Sequence, residues 1–406
     1  MTLSDRSDRG FLSHFLELTL YWAMDQRHSL PTTDAEGKTK EADDTVTPTW
    51  ECGRSLRLAG RAAEAVRVLK RGLADEPHDF RLHDELGMAL VELDRHEEAI
   101  GSYLAALNVK PDADEICSKI ASAFASRGML KPAAVWYLHA RQLNPAATNN
   151  LCAYGKILAA NGCLQEAAQA FEQWIQAEPD NPVARHLYSA ALGSSAITKA
   201  SAEYVCALFD GYAPQFNVSL AKLKYCGPQL VLDALQQVST APAVGWDILD
   251  VGCGTGLVGS CLKPLARRLV GVDLSARMLD IARNRELYDE LIESDMIDYL
   301  RRHSQRFDVL TAADVLTYVG DLGEFFHCAT QALQPRGLVV VVVEALNGEG
   351  TFRLNFTGRF SHNPQYLRRV MENAGLQVTH LSEAAMRCEG NRPVPTLVAV
   401  GTKGTP

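Results

Sequence analysis

Ile248-Leu-Asp-Val-Gly-Cys-Gly-Thr-Gly256 is an apolar run that ends in three alternate glycines. It reads as a buried strand, a tight turn and a helix starting near Leu257. Glycine has no Cβ, so the turn's backbone can lie against a ligand, and the helix N-terminus adds N–H donors at the same place. Further β-branched runs at 269–272, 307–312 and 338–343 read as parallel strands buried on both faces. Helical segments at 276–285, 322–333 and 364–374 lie between or after them, the last with Asn363 as N-cap, Pro364 as first residue and Gly375 as stop. Two final strands, around 377–381 and 396–401, close the chain. The alternation predicts an α/β doubly wound, Rossmann-like sheet with ligand at the strand C-termini.

The glycine turn alone admits two ligands. Gly254-x-Gly256-x-x-Gly259 also fits a dinucleotide fingerprint, and Asp273, ending the second strand in Gly271-Val-Asp273-Leu274-Ser, suits ribose hydroxyls in either case. Asp250 sits inside the strand end, where a dinucleotide strand is normally apolar. Asp295 follows the third strand, placed to accept an adenine amino group, and Met296 follows it. These acids favour a mononucleoside cofactor; a nicotinamide-dependent oxidoreductase is the lesser alternative.

Upstream the pattern changes. Pro77, Pro111, Pro145 and Pro179 recur every 34 residues, the tetratricopeptide period. Small residues recur in phase at Gly53, Gly87, Ala121 and Gly155, with bulky ones at Leu69, Tyr103, Tyr137 and Phe171. Small residues let paired helices approach, and proline stops the second helix of each pair. We therefore expect two domains: an all-α tetratricopeptide solenoid over 49–197, capped by a helix after Pro182, and the sheet domain over 198–406. An amphipathic helix within 1–28 and a polar, mobile linker at 29–48 precede them. Groove positions such as Trp50, Arg54, Arg81, Asp84 and Met88 lack the ordered set that captures a C-terminal carboxylate, so a protein partner for the repeats has no recognisable motif.

A net charge of −9 gives no broad basic face for nucleic acid or anionic membrane. The ten cysteines form no Cys-x-x-Cys pair and no zinc-type spacing, so no metal site is expected. The apolar stretch at 11–24 is too short to span a bilayer and lacks a cleavage site, which points to the cytoplasm with reduced thiols.

From about Ser201 onward the chain resembles the class I S-adenosylmethionine-dependent methyltransferases, on Asp250 to Gly256, Asp273, Asp295-Met296 and Ala313-Asp-Val-Leu316. More closely it resembles bacterial tetratricopeptide-containing methyltransferases related to the ubiquinone/menaquinone type, on Phe209-Asp-Gly-Tyr-Ala213, Tyr225-Cys-Gly-Pro228, Ala313 to Tyr318 and Gly358-Arg-Phe-Ser-His362. The resemblance implies methyl transfer to an unidentified acceptor, either a small metabolite or a protein presented by the repeats. An adaptor that binds cofactor without catalysis is the alternative. By the same resemblance Gly252, Cys253, Gly254 and Gly256 hold the methionine part, with Asp250 supporting the turn and the amino group. Asp273-Leu274 takes the ribose, Asp295-Met296 the adenine, and Tyr225 covers the cofactor. Asp314, Tyr318 and His362 are the expected acceptor-side residues, with His362, on a loop after the fifth strand, as general base. Asp314 is followed by Val315, not Pro-Pro-Tyr/Phe, which disfavours DNA or glutamine N-methylation.

Overall fold

The computed structural model describes residues 48–194, 196–238, 245–389 and 392–405. The expected helix within 1–28 and all but Pro48 of the expected linker lie outside the described residues. Two compact units divide at Gly162/Cys163, ahead of the 197/198 boundary read from the sequence.

The first unit is a run of helices: α1 (Thr49–Leu58), α2 (Ala62–Asp75), α3 (Phe80–Glu92), α4 (His96–Val109), α5 (Asp114–Ser126), α6 (Leu130–Leu143) and α7 (Thr148–Ala160). Helices α2, α4 and α6 repeat with the 34-residue phase of the prolines, each stopping just before one. Ala65, Ala99 and Ala133 are fully buried at equivalent positions. A Cβ on Gly53 would overlap Leu69, and one on Gly87 would overlap Tyr103. The small-against-large pattern is thus steric: the glycine face is the space the partner side chain occupies. Among the expected groove residues, Arg81 stacks on Trp50 at 4.9 Å, and Asp84 accepts from Lys119 at 2.6 Å.

The second unit opens with α8 (Leu164–Ala177) and α9 (Pro182–Ala191), which keep the repeat phase but belong with the sheet. Helix α9 does not end as a purely solvated cap. Its Ala190 packs with Leu354 and Phe360, and its buried His186 meets the Gly358 carbonyl at 2.9 Å through Nε2 and stacks on Tyr204. Helices α10 (Ala202–Tyr212), α11 (Phe216–Lys222) and α12 (Gly227–Val238) lead into the sheet.

Among the described residues nine strands follow: β1 (Trp246–Val251), β2 (Ala266–Asp273), β3 (Glu290–Glu293), β4 (Phe307–Ala313), β5 (Leu333–Ala345), β6 (Phe352–Leu354), β7 (Phe360–His362), β8 (Leu376–Glu389) and β9 (Arg392–Lys403). Strands β3-β2-β1-β4-β5 are parallel, and β9 then pairs antiparallel with both β5 and β8. The hairpin β6–β7 joins the end of β5 through parallel pairing with β7. Between strands lie α13 (Leu257–Leu262), α14 (Ala276–Arg283), α15 (Met296–Arg301), α16 (Gly323–Ala332) and α17 (Pro364–Asn373). Asn363 caps α17 by accepting from the Gln365 and Tyr366 amides, as expected.

Alternation along each strand feeds two cores. Ile248, Leu269 and Val309 face α12 and α13, packing with Val231, Leu235 and Leu262. Leu249, Val270 and Leu310 face the other layer, packing with Leu300, Phe326 and Leu367. The strand C-termini of β1, β2 and β4 converge on one edge, where the order reverses on either side of β1.

In the repeat unit the buried Tyr103 fills the gap over Gly87. Tyr103→Ala should cost roughly 3–5 kcal/mol, as for other large aromatic truncations. Urea denaturation followed by helical circular dichroism measures this, and an unchanged midpoint would contradict the packing.

Candidate active site

The turn after β1 is held by three left-handed glycines, Gly252 (φ 65°), Gly254 (φ 53°) and Gly256 (φ 81°). Each serves a different need. A Cβ on Gly252 would overlap Val315, and one on Gly256 would press on Tyr288 and Arg285. Gly254 instead has open space where its Cβ would stand, so a ligand can meet its backbone. The Cys253 thiol is buried under the turn and pushed well above its ordinary pKa by that burial.

Asp250 is buried in β1 and spends both oxygens inside the protein. Tyr288 donates to Oδ2 at 2.7 Å and Thr311 to Oδ1 at 2.9 Å. Burial pushes its pKa up to about 6, against the pull of those two hydroxyls. Asp250 therefore supports the turn from below, through Tyr288. That ring lies in a slot where a Cβ on Gly259 or Gly271 would strike it.

Asp273 ends β2 with Oδ2 accepting from the Gly254 amide at 2.8 Å and Oδ1 from the Ser275 amide at 2.9 Å. Burial raises its pKa, partly offset by these amides. Leu274, next to it, offers its carbonyl to the Cys206 thiol at 3.5 Å. Asp295 caps α15, its Oδ1 accepting from Ile297 at 2.8 Å, while Oδ2 accepts from Lys199 at 2.9 Å. Burial works to raise its pKa, but Lys199 and the amides outweigh it and the net shift is downward. Met296 packs on the sheet core beside it. From α11, Asn217 reaches the turn and accepts from the Thr255 hydroxyl at 2.7 Å.

Of the residues expected on the acceptor side, Asp314 follows β4 in a left-handed conformation (φ 59°). Its Oδ2 accepts from Arg387 at 2.8 Å, and its enclosed Oδ1 has no partner among the described residues. Burial pushes its pKa up to about 6, outweighing Arg387 and Arg359. Tyr318 lies in the next turn, edge-on to Phe209 at 5.4 Å, with its hydroxyl pKa raised by burial. The Tyr225 hydroxyl folds over Gly227 and is pushed up by burial and then by Asp314, with Asp250 a further contribution. The turn, Tyr225 and Asp314 thus form one neighbourhood.

A family model described as "Methyltransferase domain" matches residues 224–381. Residues 224–381 form a methyltransferase domain. The chain is similar to the mitochondrial ubiquinone biosynthesis O-methyltransferase of Rattus norvegicus, 26% identical over 32% of this chain and 40% of that protein. It is also similar to the ubiquinone biosynthesis O-methyltransferase of Thiobacillus denitrificans, 28% identical over 35% of this chain and 69% of that one. The chain spans about half the length of the curated relatives it matches, from 38% to 69%. A solved S-adenosylmethionine dependent methyltransferase from Mesorhizobium loti aligns with 45% of this chain and 100% of its own, at 20% identity and TM-score 0.34.

Within this methyltransferase domain one expected residue is placed differently. His362 is not on an open loop: it ends β7, is fully buried, and donates from Nε2 to the Val319 carbonyl at 2.8 Å. Burial pushes its pKa down to about 4. Its Nε2 is committed to Val319, and its enclosed Nδ1 has no partner among the described residues. Its ring instead ties β7 to the turn after β4. Sequence reasoning missed Tyr288, Lys199 and Arg387. The signal for Tyr288 was Gly271, a glycine inside a buried strand, which marks close approach by something else. Among the described residues no helix is long and apolar enough to cross a membrane, and no group of three or more His, Cys, Asp or Glu could hold a metal ion.

The folded chain keeps Asp250 protonated to higher pH than the unfolded chain does. Its contribution therefore favours folding most below pH 3.8 and is lost as pH rises through about 6. Asp250→Asn should remove that slope from the stability-versus-pH curve, leaving the share that Asp314 contributes. Urea midpoints from pH 3.5 to 7.5 give the difference curve; parallel curves for variant and parent would mean that Asp250 titrates normally.

Proposed function

We infer that this chain transfers a methyl group from S-adenosylmethionine to a small acceptor held beside β4 and β5. The observation that carries the reading is the open backbone at Gly254 next to the Asp273 carboxylate, inside the segment that matches the methyltransferase domain. When bound, S-adenosylmethionine supplies a methyl on a positively charged sulfur, which departs as a neutral thioether.

The residues present fit that cofactor. Gly252, Cys253, Gly254 and Gly256 give a backbone cradle for the methionine part, and Asp273-Leu274 lies at its rim for the ribose hydroxyls. Asp295-Met296 takes the adenine edge, with Oδ2 of Asp295 shared with Lys199. Asp250 acts from beneath by holding Tyr288 and Thr311. Asp314 and Tyr318 line the acceptor side, and Tyr225 sits between the two halves. The protein's task is to place the acceptor in line and exclude water, since an activated methyl needs little other help. The names of the relatives favour oxygen as the atom methylated. A repeat-bearing N-terminal unit leaves room for a protein partner, and the cytoplasm suits its thiols.

Asp273→Ala should weaken binding of S-adenosylhomocysteine by about 1.5–3 kcal/mol, the usual worth of hydrogen bonds to a charged group, or roughly 10- to 150-fold. Calorimetry on the full chain measures it. Unchanged affinity would remove Asp273 from the cofactor site, and binding of NAD in place of S-adenosylhomocysteine would restore the dinucleotide register. Tight cofactor binding with no turnover on any acceptor would favour the adaptor.

A further inference from the structure

Three carboxylates and two guanidiniums meet where β4, β5 and β8 end. Glu344 Oε1 accepts from Arg359 Nε at 2.6 Å and from Arg387 Nη2. Glu389 Oε1 accepts from Arg387 Nε at 3.1 Å and from Arg359 Nη2. The four side chains close a ring. Arg387, only 4% exposed, then has Nη1 left over, and gives it to Asp314 Oδ2.

We propose that Arg387 is a positioning residue that fixes Asp314 against the acceptor, and that the acceptor is a hydroxyl compound and not a carboxylate. The proposal rests on the methyl-transfer reading above.

The geometry runs as a chain of constraints. Asp314 holds a left-handed backbone, uncommon for a non-glycine residue though aspartate tolerates it. Its amide donates to the Val342 carbonyl at 3.0 Å and Arg387 pins one carboxylate oxygen. The other, Oδ1, is enclosed without a donor among the described residues. A buried acceptor atom without a donor is unfavourable, so the position suits a group that brings one. The charge count agrees. With all five groups ionised, three carboxylates against two guanidiniums leave one excess negative charge. An incoming carboxylate would add a second negative charge and carry no proton, whereas a hydroxyl carries a proton to Oδ1. In the reaction the acceptor's O–H electron pair becomes the new O–C bond, its proton passes to Oδ1, and the methyl leaves sulfur as the sulfonium falls to a thioether. Only a guanidinium can do this positioning, because three separate nitrogens must each meet a different carboxylate; a lysine is a single point charge.

The groups that face Asp314 are Arg387 on β8, Arg359 before β7, Glu344 on β5, and the hydroxyls of Tyr225 and Tyr318. Asp314 accepts a proton only when ionised, so the rate should rise with pH through about 6.

The test uses the full chain with methyl-labelled S-adenosylmethionine and three probes at millimolar concentration: phenol, catechol and benzoate. Label should enter a hydroxyl probe and not benzoate. Asp314→Asn should lower that rate by roughly 10²–10⁴-fold, the usual contribution of a positioned base. It should also abolish the inflection near pH 6, which separates it from any inflection due to Asp250. Arg387→Lys should lower the rate at least tenfold, and Arg387→Met should also move the inflection upward, because a positive neighbour is lost. Glu389→Gln, at the more exposed side of the ring, gives a milder variant if Arg387 substitutions unfold the chain; it should lower the rate and move the inflection. Affinity for S-adenosylhomocysteine should stay within twofold in every variant. Label in benzoate ahead of catechol, no label in any probe, or an unmoved pH profile in both Arg387 and Glu389 variants overturns the proposal. Failure of the parent chain to bind S-adenosylhomocysteine would overturn the methyl-transfer reading itself.

Discussion

A carboxylate buried in the first strand, Asp250, receives two hydroxyls from neighbouring elements, and the edge of the sheet is organised around them. Thr311 belongs to β4, so one oxygen locks the registry of β1 with β4. Tyr288 precedes β3, so the other oxygen draws the far side of the sheet to the same point. Burying a carboxylate is costly unless hydrogen bonds compensate. Here the compensation comes from groups that the sheet needs in place anyway. Tyr288 can reach Asp250 only because Gly256, Gly259 and Gly271 clear its path. The glycines, the tyrosine and the acid are therefore one device, and the open backbone at Gly254 is its product.

The second support comes from β8 and β9. The parallel sheet ends at β5, a strand whose apolar side chains are buried on both faces. Such an edge needs covering. The long antiparallel pair β8–β9 covers it and brings Arg387 from the end of the chain to the end of β4. The hairpin β6–β7 brings Arg359 to the same ring and places His362 under the turn after β4. Elements appended for closure thus carry the charges around Asp314.

How much of this could be read in advance follows from range. The strands, the glycine turn, the Asn363 cap and the 34-residue repeat are local or periodic signals, and the fold carries them as expected. The positions of Asp273 at a strand end and Asp295 at a helix start were legible because both are local. His362 was misplaced because three residues of hairpin strand, Phe360–His362, are too short for a period-two signal. The ring of His362 is held by the Val319 carbonyl, 43 residues away in sequence. Arg387 was invisible for the same reason: two of its three carboxylate partners lie 43 and 73 residues away. The one local hint was Glu344, a lone acid ending an unbroken valine run in β5.

The two halves of the site are built from different physics. At the expected cofactor residues most supports are backbone amides, fixed dipoles that carry no net charge and do not titrate, with Lys199 adding one ion pair to Asp295. Asp273 meets Gly254 and Ser275, and Asp295 meets Ile297. A substitution there disturbs shape before it disturbs charge. Around Asp314 the supports are ions held to ions in a poorly solvated space, where each charge is strengthened by its neighbours. Removing one member of such a ring leaves the others uncompensated, so its members are expected to be mutually dependent in a way the amide-lined half is not. Asp314 stands at the join, with its backbone in the sheet and its carboxylate in the ring. Its carboxyl, raised by burial and pulled down by both guanidiniums, therefore registers any change in the ring.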